Sequence, residues 1–235
     1  MGDVVVGIHQ PNFFPWFGFF LKIARSDKFV FLDDAQTQKK GGSYLNRTKI
    51  NINGESKWIT APIKRTHGLQ IINKTFYSAT TPWKNNILKT LHMNYGNAPY
   101  YKQNNLLIHD LLNYKSNSVS EFNIFIITEL CKALNISTSL YSSSSFSINK
   151  TSTERLISIV KAINGNVYLS GLGGDKYQDI NLFNEDGIKL RYNEFEHPEY
   201  RQFKSNTFIF GLSILDIIFH RGLDETKLII YNHRI

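Results

Sequence analysis

The chain has 235 residues, a formal net charge of +8 and 14% aromatic residues. It is too apolar for its charge to be disordered, and it is long enough to bury a sizeable core. A single cysteine, Cys131, excludes a disulfide framework and a cysteine-based metal site, and no apolar run reaches the roughly 18 residues that a membrane span needs.

Met1-Gly2-Asp3 lacks the basic region of a signal peptide, so the expected location is the cytoplasm. The positive charge favours an anionic partner. Its Lys and Arg residues are scattered, with Gln38-Lys39-Lys40 and Lys64-Arg65 the densest groups, so a phosphate-bearing small ligand ranks above DNA.

Val4-Val5-Val6-Gly7-Ile8 is a β-branched apolar run, the pattern of a strand buried on both faces, and Phe29-Val30-Phe31-Leu32 is a second. The stretch between them, including Phe17 to Ser26, has room for a loop and a short helix, so the two strands are expected to be parallel. Arg47 to Ile52 and Glu55 to Thr60 flank Asn53-Gly54, the signature of a hairpin with a type I′ turn. The middle reads as helical, with Ser118 and Glu121 forming a capping box before a run through Leu134. Ser142 to Ser145 reads as a short linker.

A second capping box, Thr151 with Glu154, precedes Leu156, Ile159, Val160 and Ile163 at helical spacing, and Asn164-Gly165-Asn166 supplies a left-handed stop. Val167-Tyr168-Leu169 is a strand running into Ser170-Gly171-Leu172-Gly173-Gly174. A helical stretch from about Gln178 to Asn184 leads to a strand with Ile188, Leu190 and Tyr192 inward. Leu212 to His220 is a compact helix stopped by Gly222. The sum is an α/β fold, a largely parallel Rossmann-like sheet with an inserted β-hairpin and a helical middle segment. It is read as a single domain over 1–235, with 81–140 a candidate helical lobe.

In an open parallel sheet, ligands bind beyond the carboxyl ends of the strands. The predicted strands end in His9-Gln10-Pro11, in Asp33-Asp34-Ala35-Gln36 and in Ser170 to Gly174, so these three clusters are expected to face one crevice. His9 suits acid–base work or phosphate binding; the structural alternative is that it packs beside Trp16. Asp33 and Asp34 point to opposite faces, so one of them is expected in the site. Adjacent carboxylates make a poor metal cage, and Mg²⁺ ranks below a base or hydroxyl-binding role.

Gly171, Gly173 and Gly174 let backbone N–H groups approach an anion, or simply make a tight turn. Arg47, after Asn46, offers a planar fork for phosphate or carboxylate, whereas Lys64 and Arg65 read as a basic hairpin edge. His197-Pro198-Glu199-Tyr200 with Gln202 is a polar loop. His67, His92, His109, His220 and His233 have no ligand-set spacing.

Taken together, His9-Gln10-Pro11-Asn12-Phe13-Phe14-Pro15-Trp16, Asp33-Asp34 with Gln36, Asn46-Arg47, Tyr168-Leu169-Ser170-Gly171, His197 to Gln202 and Leu212 to Asp216 resemble the WbqC-like protein family. The first of these segments is the most specific. The resemblance implies a bacterial protein of surface-polysaccharide pathways, typically O-antigen and lipopolysaccharide assembly, accompanying enzymes that make nucleotide-linked amino sugars. A fainter likeness to HIGH-type nucleotidylyltransferases runs through Gly7-Ile8-His9-Gln10-Pro11 and Gly18. Phe19, however, stands where their second histidine belongs, which argues against adenylyl transfer.

The expected activity is transfer of an acyl or aminoacyl group from a donor to the amine of a nucleotide-linked sugar. His9 and Asp34 are the candidate catalytic pair. Gln10, Trp16, Asp33, Gln36, Asn46, Arg47, Ser170, Gly171, Gly173, Gly174, His197 and Tyr200 are the candidate binding residues. No metal is assigned. A metal-dependent glycosyltransferase using Asp33 and Asp34, and a non-catalytic accessory protein, are the alternatives, and a homodimer is left open.

Overall fold

The β-branched run near the start forms the central strand of a sheet, and the aromatic run twenty residues later lies beside it in parallel. The structure, a computed structural model, describes residues 2–37, 43–64, 68, 70–174 and 178–234. Gln38-Lys39-Lys40, Arg65 and His67 lie outside the described residues. In chain order the elements are β1 (Val5–His9), α1 (Phe17–Ala24), β2 (Lys28–Phe31), β3 (Arg47–Ile52), β4 (Glu55–Thr60), α2 (Trp83–Tyr95), α3 (Tyr101–Leu112) and α4 (Val119–Ala133). They continue with β5 (Ser139–Ser142), α5 (Ser152–Ala162), β6 (Val167–Ser170), α6 (Ile180–Glu185), β7 (Lys189–Tyr192) and α7 (Ile214–His233).

Five strands form one parallel sheet in the order β5-β2-β1-β6-β7, and β3-β4 is a separate antiparallel hairpin. Within the main sheet this is the doubly wound order, and its direction reverses between β1 and β6. Alternate side chains feed two cores. Val6, Ile8, Val30 and Tyr168 pack against α5 and α6 through Ile157, Val160 and Phe183. Phe29 and Phe31 face α1, α4 and α7. Both faces are covered, which is why the strands read as continuous apolar runs. Phe17, Phe19 and Phe20 of α1 are fully buried in the larger core, each contributing ~1.5–3 kcal/mol.

Local signals account for several boundaries. Asn53 and Gly54 both take positive φ (53° and 84°) in the hairpin turn, and Asn164 (φ 54°) ends α5. Ser118 caps α4 by accepting from the Glu121 N–H at 3.3 Å. The return arm is relayed: Ser116 Oγ donates to Glu121 and accepts from the Ser118 N–H.

Other expectations are corrected. Thr151 makes no side-chain cap, because Ser152 turns to φ 51° and Glu154 pairs with Lys150 instead. Ser142 to Ser145 is no linker; it is the end of β5 and a 3₁₀ turn bound to Asp33 and Asp34. Gly222 (φ 77°, ψ 169°) does stop the first helical stretch of α7, as expected, and a second stretch follows it to His233. No helix among the described residues is long and apolar enough to cross a membrane.

The hairpin tip is docked as well as turned. A Cβ at Gly54 would lie 2.5 Å from the Lys204 carbonyl oxygen, at a φ that L-residues rarely adopt. Gly54→Ala is therefore expected to cost about 1–3 kcal/mol, measured by urea melts against the parent chain.

Candidate functional site

The β1–β2 ladder runs to His9↔Phe31 and the β6–β7 ladder to Ser170↔Tyr192, but the β1–β6 ladder stops at Gly7↔Leu169. The two central strands therefore part where the winding reverses, at their carboxyl ends. This is the place where a doubly wound sheet binds ligands.

His9 stands at one side of the gap. Its Nδ1–H donates to the Gln10 carbonyl at 3.0 Å, which leaves the lone pair on Nε2. The ring packs edge-on against Phe19 (4.9 Å) and Trp16 (5.9 Å). Burial, with the nearby Lys22 charge, pushes its pKa down to about 4, opposed by the bond to Gln10. The imidazole is thus neutral at physiological pH.

Its following loop is pinned from several directions. Asn123 Nδ2 donates to the Pro11 carbonyl (2.8 Å), Thr48 and Ser213 hydroxyls to the Phe14 carbonyl (2.9 and 2.8 Å), and the Ile214 N–H to Pro15 (2.8 Å). The network holds Phe14 at φ 40°, a strain of roughly 1–3 kcal/mol of the kind that clusters at functional sites.

Lys22 enters the gap from α1. Its Nζ donates to the Ile8 carbonyl at 2.7 Å and lies 5.8 Å from the centre of the Tyr168 ring. Tyr168 belongs to the core on the far face, so the ammonium sits between the strands. Lys22 is 3% exposed, and burial pushes its pKa down to about 7.

On the β6 side, Ser170 Oγ accepts from Gln178 Nε2 at 2.9 Å, and Gln178 Oε1 is buried with no hydrogen-bond partner among the described residues. Gly174 closes a turn by donating to Gly171 O (2.9 Å). A Cβ at Gly174 would strike Ser170 and Gln178, whereas Cβ atoms at Gly171 and Gly173 would meet nothing among the described residues. Burial also raises the Tyr168 phenol to about 12, so it stays protonated.

From His9 a line of rings leads outward: Trp16 to Tyr44 at 5.4 Å, then Tyr44 to Trp58 at 5.2 Å. Tyr44 and Trp58 are 40% and 37% exposed. The Arg47 guanidinium lies 4.1 Å from the Trp58 ring centre, and Lys49 Nζ lies 5.2 Å from it. Asn46 serves the fold, its Nδ2 donating to the Ala61 carbonyl at 2.9 Å. Gln10 is half-buried beside His9.

Asp33 and Asp34 follow β2, the strand beside β1, at the same carboxyl rim as His9, and turn toward the end of β5. Asp33 accepts from the Ser144 N–H (2.9 Å), the Ser144 hydroxyl (2.6 Å) and the Ser143 hydroxyl (3.2 Å). Asp34 binds Ser143 and forms an ion pair with Arg155. No hydrogen bond among the described residues joins either carboxylate to His9. Asp33 instead borders a cavity of about 740 Å³ with Lys74, Glu121 and Ser144. Gln36 is exposed and bridges to Ile71.

His197 packs among Phe17, Phe208 and Phe210, with Nε2 buried and without a hydrogen-bond partner among the described residues; burial lowers its pKa. Tyr200 donates to Asp216 at 2.7 Å and packs on Phe208. These two residues lie beneath α7 and make no contact with His9 among the described residues. Cys131 is buried in α4, its thiol pushed up to about 12 by burial and inert. A separate apolar cavity of about 410 Å³, bordered by Ala24, Leu134 and Leu228, lies at the opposite, amino-terminal rim.

The structure thus gathers His9, Gln10, Trp16, Ser170, Gly171, Gly173 and Gly174 around the parting of the strands, with Arg47 reached through the rings. Lys22, Tyr44, Trp58 and Gln178 join them without having been named as site residues, as does Tyr168, which the sequence marked only within a family motif. Lys22 had a visible signal, as the one charge in Phe17–Ala24, an otherwise apolar helix.

Comparison with known proteins agrees with the motif pattern. The model of the WbqC-like protein family matches residues 10–228, beginning one residue after His9. The chain is 30% identical over 232 residues to the Mycobacterium tuberculosis protein named "Uncharacterized protein Rv1507c", covering 96% of this chain and 97% of that one. No solved structure matches. With nearly the whole doubly wound core inside the matched region, the chain belongs to the WbqC-like protein family.

Proposed function

We propose that this protein is a transferase that places an acyl or aminoacyl group on the amine of a nucleotide-linked sugar, with its site where β1 and β6 part. One observation carries this reading: a neutral histidine, its lone pair on Nε2, stands at the switch point of a doubly wound sheet under a strained loop. The sheet order suits a nucleotide, and the exposed rings of Tyr44 and Trp58 suit stacking of a base or sugar.

In the proposed step, the sugar amine nitrogen attacks the carbonyl carbon of an activated acyl donor such as a thioester. The C–N bond forms and the C–S bond breaks. His9 Nε2 takes the proton released from nitrogen in the tetrahedral adduct, where that proton is most acidic, and returns it to the departing thiolate. The backbone of the Gly171–Gly174 turn, rather than the Ser170 hydroxyl, which donates to the Gly171 carbonyl, assists the developing oxyanion.

Thermal-shift assays against dTDP-, UDP-, GDP- and CMP-linked amino sugars, with and without a thioester donor, test the reading. Ligand at about 100 times its Kd stabilises by ~2.7 kcal/mol, a rise of roughly 5–11 °C for a chain of this size. No shift with any of them contradicts it.

A further inference from the structure

Where β1 and β6 part, the buried ammonium of Lys22 donates to the Ile8 backbone carbonyl. No carboxylate is paired with Lys22 among the described residues. Buried ammonium groups are normally paired, and an uncompensated one destabilises the fold that contains it. Retaining Lys22 in a helix that would otherwise be wholly apolar therefore needs a gain outside the free protein. Its surroundings name the gain. The β1–β6 ladder ends at Gly7↔Leu169, one residue before the Ile8 carbonyl that Nζ holds, so Nζ sits at the mouth of the parting strands with the Tyr168 ring on its β6 side. Gln178, whose Nε2 donates to Tyr168 and Ser170, has a buried Oε1 with no partner among the described residues, which suits a hydroxyl donor. An anion that carries hydroxyl groups satisfies both.

We propose that Lys22 is the anion anchor of the crevice, its ammonium receiving a phosphate oxygen of the ligand between β1 and β6 and beside His9. The assignment rests on the nucleotide-sugar reading only for the ligand that brings the phosphate. It has a consequence for His9. The titratable groups facing Lys22 are His9 from β1 and Tyr168 from β6, and the Lys22 charge is one cause of His9's low pKa. A phosphate at Nζ offsets that charge and makes His9 a stronger base once the ligand is seated.

Calorimetric titration with pyrophosphate, on the parent chain and on Lys22→Met, tests this. Met fills the same volume without charge, so the free variant is expected to melt at the parent temperature or above it. Its affinity for pyrophosphate is expected to fall roughly 10–100-fold, the worth of one charge-assisted hydrogen bond. Unchanged affinity in Lys22→Met, or no pyrophosphate binding by the parent, would overturn the anchor. Lys22-dependent pyrophosphate binding with no response to any nucleotide sugar would keep the anchor and remove the reading above it.

Discussion

Replacing Asp216 with alanine is expected to cost this protein at least ~3 kcal/mol, lowering its melting temperature by about 6–12 °C. The carboxylate is fully buried at the start of α7. Tyr95 donates to Oδ2 (2.8 Å), while Tyr200 (2.7 Å) and Gln202 (2.9 Å) donate to Oδ1. His220 completes the knot: its Nδ1–H donates to the Asp216 backbone carbonyl and its Nε2 accepts from the Phe203 N–H, both at 2.7 Å. Alanine strands three buried donors, each costing ~1–3 kcal/mol if unsatisfied. Burial, with the charge on Asp216, also holds the Tyr95 and Tyr200 hydroxyls protonated well above their ordinary range. Asp216→Asn keeps one acceptor oxygen and is expected to recover part of the loss. Equal melting of Asp216→Ala and the parent would show that the knot contributes nothing.

His9→Asn is expected to lower the proposed acyl transfer by about 10²–10⁴-fold while changing nucleotide-sugar affinity less than tenfold, because asparagine can still donate to the Gln10 carbonyl. A pH series adds an independent readout. The folded imidazole titrates near 4 and the unfolded one near 6.5. Between these values the unfolded chain binds more protons, so stability is full above about pH 6.5 and is lost as pH falls toward 4. His197, also lowered by burial, acts in the same direction, so His9→Asn should flatten this acid limb only in part. An acid limb identical to the parent's would mean that His9 is not buried neutral.

The parallel pair β1 and β2, the hairpin and the gathering of polar ends at one rim were legible because each is written in neighbouring residues. Val4 to Ile8 has the composition of a central strand, and Asn53-Gly54 accepts the positive φ that the turn requires. Roles set by distant partners were not legible. Asp33 and Asp34 read as site carboxylates, yet their hydrogen bonds go to serines about 110 positions later in the chain, and that same contact turns an apparent serine linker into a buried turn. Thr151 failed as a cap because Ser152 adopts a left-handed conformation that composition does not announce. The His197 to Gln202 and Leu212 to Asp216 segments read as separate motifs, whereas Tyr200 and Gln202 exist to satisfy Asp216. Lys22 carries no motif of its own, and its role rests on the Ile8 carbonyl and the Tyr168 ring, partners from strands that only the fold brings to it.

The central claim is that the parting of β1 and β6 is where this protein holds a nucleotide-linked ligand. The most direct test is a crystal structure of the complex with whichever nucleotide sugar stabilises the chain most. The account predicts phosphate oxygens within about 3 Å of Lys22 Nζ, with the reacting sugar amine near His9 Nε2. Phosphates seated instead in the Asp33–Ser144 cavity or in the apolar cavity at the amino-terminal rim would contradict it.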